Sequence, residues 1–522
     1  MTAADERARD ESMKGPGRSA PGMTGGNASA LIVAILGSSM AFIDGTIVNV
    51  ALPAMQSGLH ATASNLQWVV EAYALSLSSL LLVGGSMGDI HGRKKIFLLG
   101  VILFAIGSAW CGLVGSVEAL ILARGVQGIG AAFLVPGSLS LISAAYPAAE
   151  RGRAIGTWSG FTAITASVGP VLGGWLVEHI SWRAVFFINV PLAALVVWMT
   201  IRHVQESRNT AIARTLDWPG ALLTCLGLGG VTFALIEASS GGIAVVLAAV
   251  TGVVALAGFF IVEARSSTPM VPLALFKSRT FASANLITLF LYAGLGGVLY
   301  FLPLNLIQVQ HYSATEAGAA LLPLILIIFL LSRWSGGLIA RYGSKGPLTV
   351  GSLIVALGFG LLASPGIGGP YWTTFFPPLA VLGLGMAICI APLTTSVMNA
   401  APENQSGVAS GVNNAVSRVA GLIAVALFGL ILSATFNHSL DVRLVSLAPS
   451  QMQRQQIDQQ RPLLAAAISP DKRTTKVVDE AFVTGYRVVV SVATGLALAS
   501  AVTAGLFLET HRAAKRRARH GA

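Results

Sequence analysis

Charge is what this sequence has least of. Only 11% of its 522 residues are Asp, Glu, Lys or Arg, against 54% that are hydrophobic, and mean hydropathy is +0.74. Such a chain cannot dress the surface of an ordinary soluble domain, so its bulk must face lipid. Acids are scarcer than bases, 22 against 33, giving a net charge of +11. In a soluble chain that excess would raise the question of nucleic acid; here a membrane explanation comes first. Cysteine is nearly absent: Cys111, Cys225 and Cys389 are too few and too scattered for a disulfide framework or a metal site, and read as small apolar residues. No P-loop is present, which excludes ATP-driven transport by this chain alone. Nor are there the paired carboxylates or the catalytic His of a membrane transferase, so an enzyme is not expected.

What is there is apolar length. At ~20 residues per crossing helix the apolar content suffices for about 14 spans. Runs of that length group as six, two and six, with no period-two segments of a barrel. The expected fold class is an all-α integral membrane protein. Residues 1–28 read as a disordered N-terminal segment, 29–201 as a six-helix bundle, and 202–280 as two inserted helices with linkers. A second six-helix bundle takes 281–508, with a long outer loop at 435–482, and 509–522 form a basic tail. Of the 33 basic residues, 22 fall in segments on the side of the N-terminus. That asymmetry predicts both termini in the cytoplasm of a multi-pass plasma-membrane protein.

The six-helix unit is repeated. Gly85, Gly92 and Lys94 recur as Gly336, Gly343 and Lys345, each displaced by 251. Gly128, Gly130, Pro147, Gly152 and Gly156 recur as Gly383, Gly385, Pro402, Gly407 and Gly411, displaced by 255. The second, fourth and fifth spans therefore correspond to the tenth, twelfth and thirteenth, and the seventh and eighth are an insertion. Two equivalent bundles are what rocking around a midplane site requires.

Four motifs occur in order: Asp44, Thr46, Asn49, Ala51, Leu52 and Pro53 in the first span; Gly85, Gly88, Asp89, Gly92, Arg93, Lys94 and Lys95 after the second; Arg124, Gln127, Gly128 and Gly130 in the fourth; Gly169, Pro170, Gly173 and Gly174 in the fifth. Together they resemble the major facilitator superfamily, specifically its fourteen-span drug:proton antiporters of the EmrB/QacA type. The resemblance implies alternating access and assigns Arg124 to a proton-transfer motif. It assigns Gly169, Pro170, Gly173 and Gly174 to an antiporter motif that seals the cavity. Gly85 and Gly92 permit tight packing and a sharp turn and Asp89 can pair with a nearby cation, so Gly85, Asp89, Gly92 and Arg93 read as a conformational gate. Two positions depart from the pattern: Ile90 stands where Arg is usual, and Thr165 where a further Gly is usual. In the fifth span Gly156 and Gly160 extend the four-residue spacing that lets helices approach closely.

Charge inside a span costs on the order of 2.5–3.5 kcal/mol, so Asp44, Glu71, Arg124 and Arg418 must pair or line water. At ~1.5 Å per residue the first three lie in the outer half of the first bundle. Asp44 is the first candidate for proton carrier, and Glu71, in a polar stripe with Gln67 and Ser78, could bind a cationic substrate or the proton. Asn49, Gln67, Tyr73, Gln127, Asn414 and Arg418 are candidate cavity residues, and Trp68, Trp158 and Phe161 candidate aromatic lining. The reading is a proton-coupled exporter of small amphipathic molecules. No cofactor is expected beyond the proton gradient, and a periplasmic adaptor enters only if the cell has an outer membrane. A carrier dedicated to one metabolite would share every motif, and a non-transporting sensor would not need the intramembrane charges.

Overall fold

The computed structural model describes residues 25–208, 217–266, 269–401, 406–447, 449–467 and 471–508. The segment before residue 25 and the basic tail 509–522 lie outside the described residues. Fourteen helices among those described are long and apolar enough to cross a bilayer. Spans 1 to 8 are Ala28–Leu59, Ala63–His91, Arg93–Leu113, Val117–Ala145, Arg153–His179, Ala184–His203, Trp218–Ile236 and Ile243–Arg265. Spans 9 to 14 are Arg279–Val309, Ala314–Leu331, Lys345–Leu362, Phe376–Asn399, Val408–Leu447 and Lys472–Phe507. No strand occurs among the described residues. An even number of crossings puts the start of span 1 and the end of span 14 on one side, here the terminal side; the other is the far side.

The repeat is visible in atomic detail. Span 2 opens on Thr62, whose hydroxyl accepts from the Asn65 amide at 3.2 Å while Asn65 Oδ1 accepts from the Thr62 amide at 3.0 Å. Span 10 opens on Ser313 with the same reciprocal cap from Glu316, at 3.2 and 2.8 Å. These boxes satisfy helix-end amides that lipid could not. Glycines repeat their packing too. A Cβ on Gly107 would lie 2.7 Å from the Gln127 amide nitrogen, and one on Gly358 would lie 2.7 Å from that of Leu382. In each half, span 3 or its equivalent thus lies directly on the backbone of span 4 or its equivalent.

Two sequence expectations need correction. The first helix already begins at Gly25, inside the stretch expected to be disordered. The stretch 435–482, expected as a long loop, is largely helical among the described residues: span 13 continues to Leu447, a helix covers Gln451–Gln460, and span 14 starts at Lys472. Its charges pair with one another, Arg443 with Glu480 and Arg461 with Asp441 and Asp458, which explains why polar sequence here is not loop. Beyond Arg461 the chain dips inward: Leu464, at φ +55°, is buried, and the Leu463 carbonyl accepts from Gln56 Nε2 at 3.1 Å.

The inserted pair docks through span 7, which packs on spans 2 and 13. Span 8 packs on span 7 and shows lipid the side chains of Val246, Val250, Val253 and Val254. Among the described residues, every hydrogen bond between the two six-helix halves lies on the far side. Gln308 donates to Gln56 at 2.7 Å, Gln67 to the Val425 carbonyl at 3.3 Å, and the Thr315 amide to Glu178 at 3.2 Å. Hydrogen bonds therefore join the halves on the far side.

Candidate functional site

Asp44 in span 1 and Arg124 in span 4 meet at the centre of the first half. Their charged atoms are 2.6 Å apart, at 0% and 1% exposure. The rest of each group is also satisfied. Gln127 Nε2 donates to Asp44 Oδ1 at 2.8 Å, Asn189 Nδ2 approaches the same oxygen at 3.5 Å, and Arg124 donates to Gln127 Oε1 at 2.7 Å and to the Val69 carbonyl at 3.0 Å. The guanidinium lies over the Tyr73 ring, 4.3 Å from its centroid. Spacing explains the pairing, since Arg124 and Gln127 at i and i+3 share a helix face. A charged pair this deep is tolerable only with every lone pair and proton engaged.

Several expected cavity residues are sealed into this network instead. Gln127 is fully buried, with Cys111 donating to it at 3.7 Å, so Cys111 is a partner and not only a small apolar filler. Tyr73 is buried too, its hydroxyl reaching the Ala41 carbonyl at 3.4 Å. Asn189, in the sixth span, is a further partner that the sequence pattern does not single out, reaching Asp44 and donating to Ser108 at 3.0 Å. Gln67 lines a small cavity on the far side with Gln56, Tyr300 and Gln308, and it also fastens spans 2 and 13. Trp68 turns away from the interior and donates to Glu237 at the far end of span 7, at 2.9 Å, beside Ser64 at 2.8 Å. Trp158 is likewise occupied, by Ser38 at 3.0 Å, whereas Phe161 is exposed.

Glu71 stands apart from the network. It is 1% exposed and neither carboxyl oxygen has a hydrogen-bond partner. A bare carboxylate there would forfeit its solvation with nothing in return, which makes Glu71 the acid of this half that the fold leaves unserved. Asn49 also keeps a buried oxygen without a partner. In the second half Asn414 is exposed and Arg418 half-buried.

At the terminal end of span 2, Asp89 binds Arg93 on the next helix, with Nε and Nη2 at 3.0 and 2.9 Å. The turn between them is Gly92 at φ +115°, ψ +129°. Glu206, which sequence reasoning missed, accepts the amides of Lys94 and Lys95 at 3.1 and 3.2 Å. Its carboxylate caps the start of span 3, where a helix favours negative charge. A Cβ on Gly92 would lie 2.8 Å from that carboxylate. Gly92→Ala is therefore expected to destabilise by about 1–3 kcal/mol, from left-handed backbone strain and loss of the cap, read as a lower thermal midpoint in detergent. The side chains of Arg333 and Ala340, near the equivalent position of the second half, lie outside the described residues.

The fifth-span glycines have two tasks. Gly169 and Gly173 lie on span 1, the latter 3.0 Å from the Ile47 carbonyl if given a Cβ. Gly174 faces span 10, where a Cβ would come within 2.6 Å of the Ala314 carbonyl carbon, and Gly318 returns the contact to the Pro170 carbonyl carbon at 2.6 Å. Gly156 and Gly160, expected to extend this stripe, meet nothing within 4 Å. They sit on the terminal-side part of span 5, where the halves are not joined. Gly85 packs loosely, with Pro136 at 3.6 Å. Among the described residues no three His, Cys, Asp or Glu side chains gather where a metal could be held.

The comparisons with known proteins agree with this architecture. The model of the Major Facilitator Superfamily matches residues 34–425. The chain belongs to the major facilitator superfamily. Within it, the chain is 34% identical to the multidrug resistance protein Stp of Mycobacterium tuberculosis, over 89% of each chain. It is 31% identical to the tetracenomycin C resistance and export protein of Streptomyces glaucescens, over 93% and 92%. A methylenomycin A resistance protein of Bacillus subtilis is 35% identical over 78% and 88%. Among solved structures, a bacterial homologue of the human lysosomal transporter Spinster superposes with a TM-score of 0.65 at 18% identity, covering 92% and 98%. The xylose transporter XylE from E. coli gives 0.59 at 14%, covering 94% and 99%. These last two speak for the major facilitator fold alone. Membership makes the protein a multi-pass membrane transporter and not an enzyme.

Proposed function

We propose that this protein exports small amphipathic molecules across the plasma membrane in exchange for protons, with both termini cytoplasmic. The observation that carries the reading is the buried Asp44–Arg124 pair, the one ion pair at membrane depth among the described residues. Resistance and export proteins as relatives support the substrate class and direction. The excess of basic residues on the terminal side supports the orientation.

Asp44 carries the proton. In this conformation it is paired with Arg124; substrate or conformational change that draws Arg124 away leaves the carboxyl to take the proton instead. Glu71 is a second acid for the proton, buried here with no partner on either carboxyl oxygen. Asp89, Gly92 and Arg93 form the cytoplasmic gate, their ion pair free to exchange partners when that side closes. Gly169, Pro170, Gly173 and Gly174 hold the outer seal. The driving force is the proton gradient, with no cofactor.

Proton movement on addition of substrate tests this. In proteoliposomes carrying an internal pH dye, a transported lipophilic compound applied on the cytoplasmic face is expected to draw protons toward that face. Transport of the compound without any proton movement would leave a uniporter and overturn the exchange.

A further inference from the structure

The first half neutralises its intramembrane cation, and the second half does not. Arg418 lies ten residues into span 13 from Val408, about 15 Å from the terminal side at ~1.5 Å per residue, hence near mid-membrane. Arg124 has a carboxylate, an amide oxygen and a carbonyl. Arg418 has neither a hydrogen bond nor an ion pair among the described residues, although half of it is buried. It cannot face lipid, where an unpaired guanidinium at this depth is the least tolerable of side chains. Span 13 packs on span 2 of the first half, and Gly411, two turns earlier on the same face as Arg418, lies beside Leu82 of that span, so Arg418 faces the seam between the halves. One turn nearer the terminal side, Asn414 is exposed, a second polar group on the same face.

Asp44 and Arg124 engage each other, and Arg418 is left without an acceptor. A site left with one unsatisfied guanidinium favours a ligand that brings the missing acceptor, because a charge-assisted, bidentate hydrogen bond gains most where water is sparse. The lipophilic cations expected from an acidic first span would meet repulsion here.

We infer that Arg418 is an anion receptor, so that the preferred substrates are amphipathic molecules with a carboxylate, phenolate or similar acidic group. Asn414, at i−4 on the same face, supplies an adaptable hydrogen bond beside it. The inference rests on the export reading for which molecules are carried, but ligand binding can be measured without transport.

The probes are three molecules with one apolar body: 1-pyrenebutyrate, its neutral amide and 1-pyrenebutylamine. Binding is measured in phosphatidylcholine nanodiscs, where no anionic lipid headgroup competes, by equilibrium titration of wild type, Arg418→Gln, Arg418→Lys and Arg418→Glu. Wild type is expected to bind the carboxylate at least tenfold more tightly than the amide and to bind the amine most weakly. Arg418→Gln removes that tenfold preference while amide affinity stays within twofold, which also certifies the fold. Arg418→Lys keeps part of the preference, and Arg418→Glu reverses the order in favour of the amine. Equal carboxylate affinity in wild type and Arg418→Gln, or wild-type preference for the amine, overturns the inference. Added phosphatidylglycerol that displaces the carboxylate from wild type but not from Arg418→Gln would assign the site to lipid phosphate instead and overturn the substrate claim. Loss of gradient-driven transport in other variants would touch the export reading and leave these affinities unchanged.

Discussion

Asp44→Asn is expected to destabilise the protein by about 3–5 kcal/mol, the loss typical when one partner of a buried ion pair is removed. The amide is close in shape, and Gln127 and Asn189 could still reach its oxygen. Arg124 would nevertheless keep a full charge at 1% exposure with only an amide and a carbonyl to face it. Arg124→Gln leaves the opposite charge stranded and is expected to lose a similar amount. The double variant Asp44→Asn/Arg124→Gln returns most of the stability, because neither charge is left alone. Denaturant or thermal unfolding in detergent gives the four corners of the cycle. Additive losses would mean that the two residues do not form the unit described here.

Leucine in place of Gly174 or Gly318 is expected to abolish transport while each half remains folded. Each glycine lets the backbone of one half meet that of the other, and a Cβ at Gly174 would come within 2.6 Å of the Ala314 carbonyl carbon. Backbone cannot yield as a flexible side chain can. The far side would stay open, so a cysteine pair at Glu178 and Thr315, hydrogen-bonded in this structure at 3.2 Å, would cross-link in an otherwise wild-type background and fail in the leucine variant. Cross-linking with retained transport in the variant would remove the glycines from the closure mechanism. Gly128→Leu makes the contrast: a Cβ there would lie 2.5 Å from the Tyr73 carbonyl oxygen within one half, so the variant is expected not to fold.

Much of this was legible in the sequence because lipid leaves few choices. A span must be apolar and helical, so the fourteen crossings stand out, and a duplicated helix unit repeats its glycines wherever backbones touch. Asp44 and Arg124 were legible for the same reason, as charges that had to find each other. What failed was the direction of side chains between elements. Gln127 and Tyr73 share helix faces with cavity positions, yet the Arg124 guanidinium draws both into its own shell. Trp68 turns to Glu237 because an inserted helix docks there, and no periodicity says where an insertion docks. Glu206 caps a helix 111 residues away, a contact made by the fold and absent from local pattern. The 435–482 stretch misled because its polarity looks like a loop, whereas its ion pairs support helices standing outside the bilayer. Arg418 was visible as a charge, and only the folded structure reveals that, unlike Arg124, it has no acceptor among the described residues.

The central claim is that proton and substrate exchange depends on Asp44. It is tested most directly by comparing gradient-driven accumulation with substrate counterflow in the same proteoliposomes, for wild type and Asp44→Asn. Wild type is expected to do both. Asp44→Asn, assayed at a temperature where it remains folded, is expected to keep counterflow, which needs only alternating access, and to lose accumulation driven by the pH gradient. Full gradient-driven accumulation by Asp44→Asn would contradict the account.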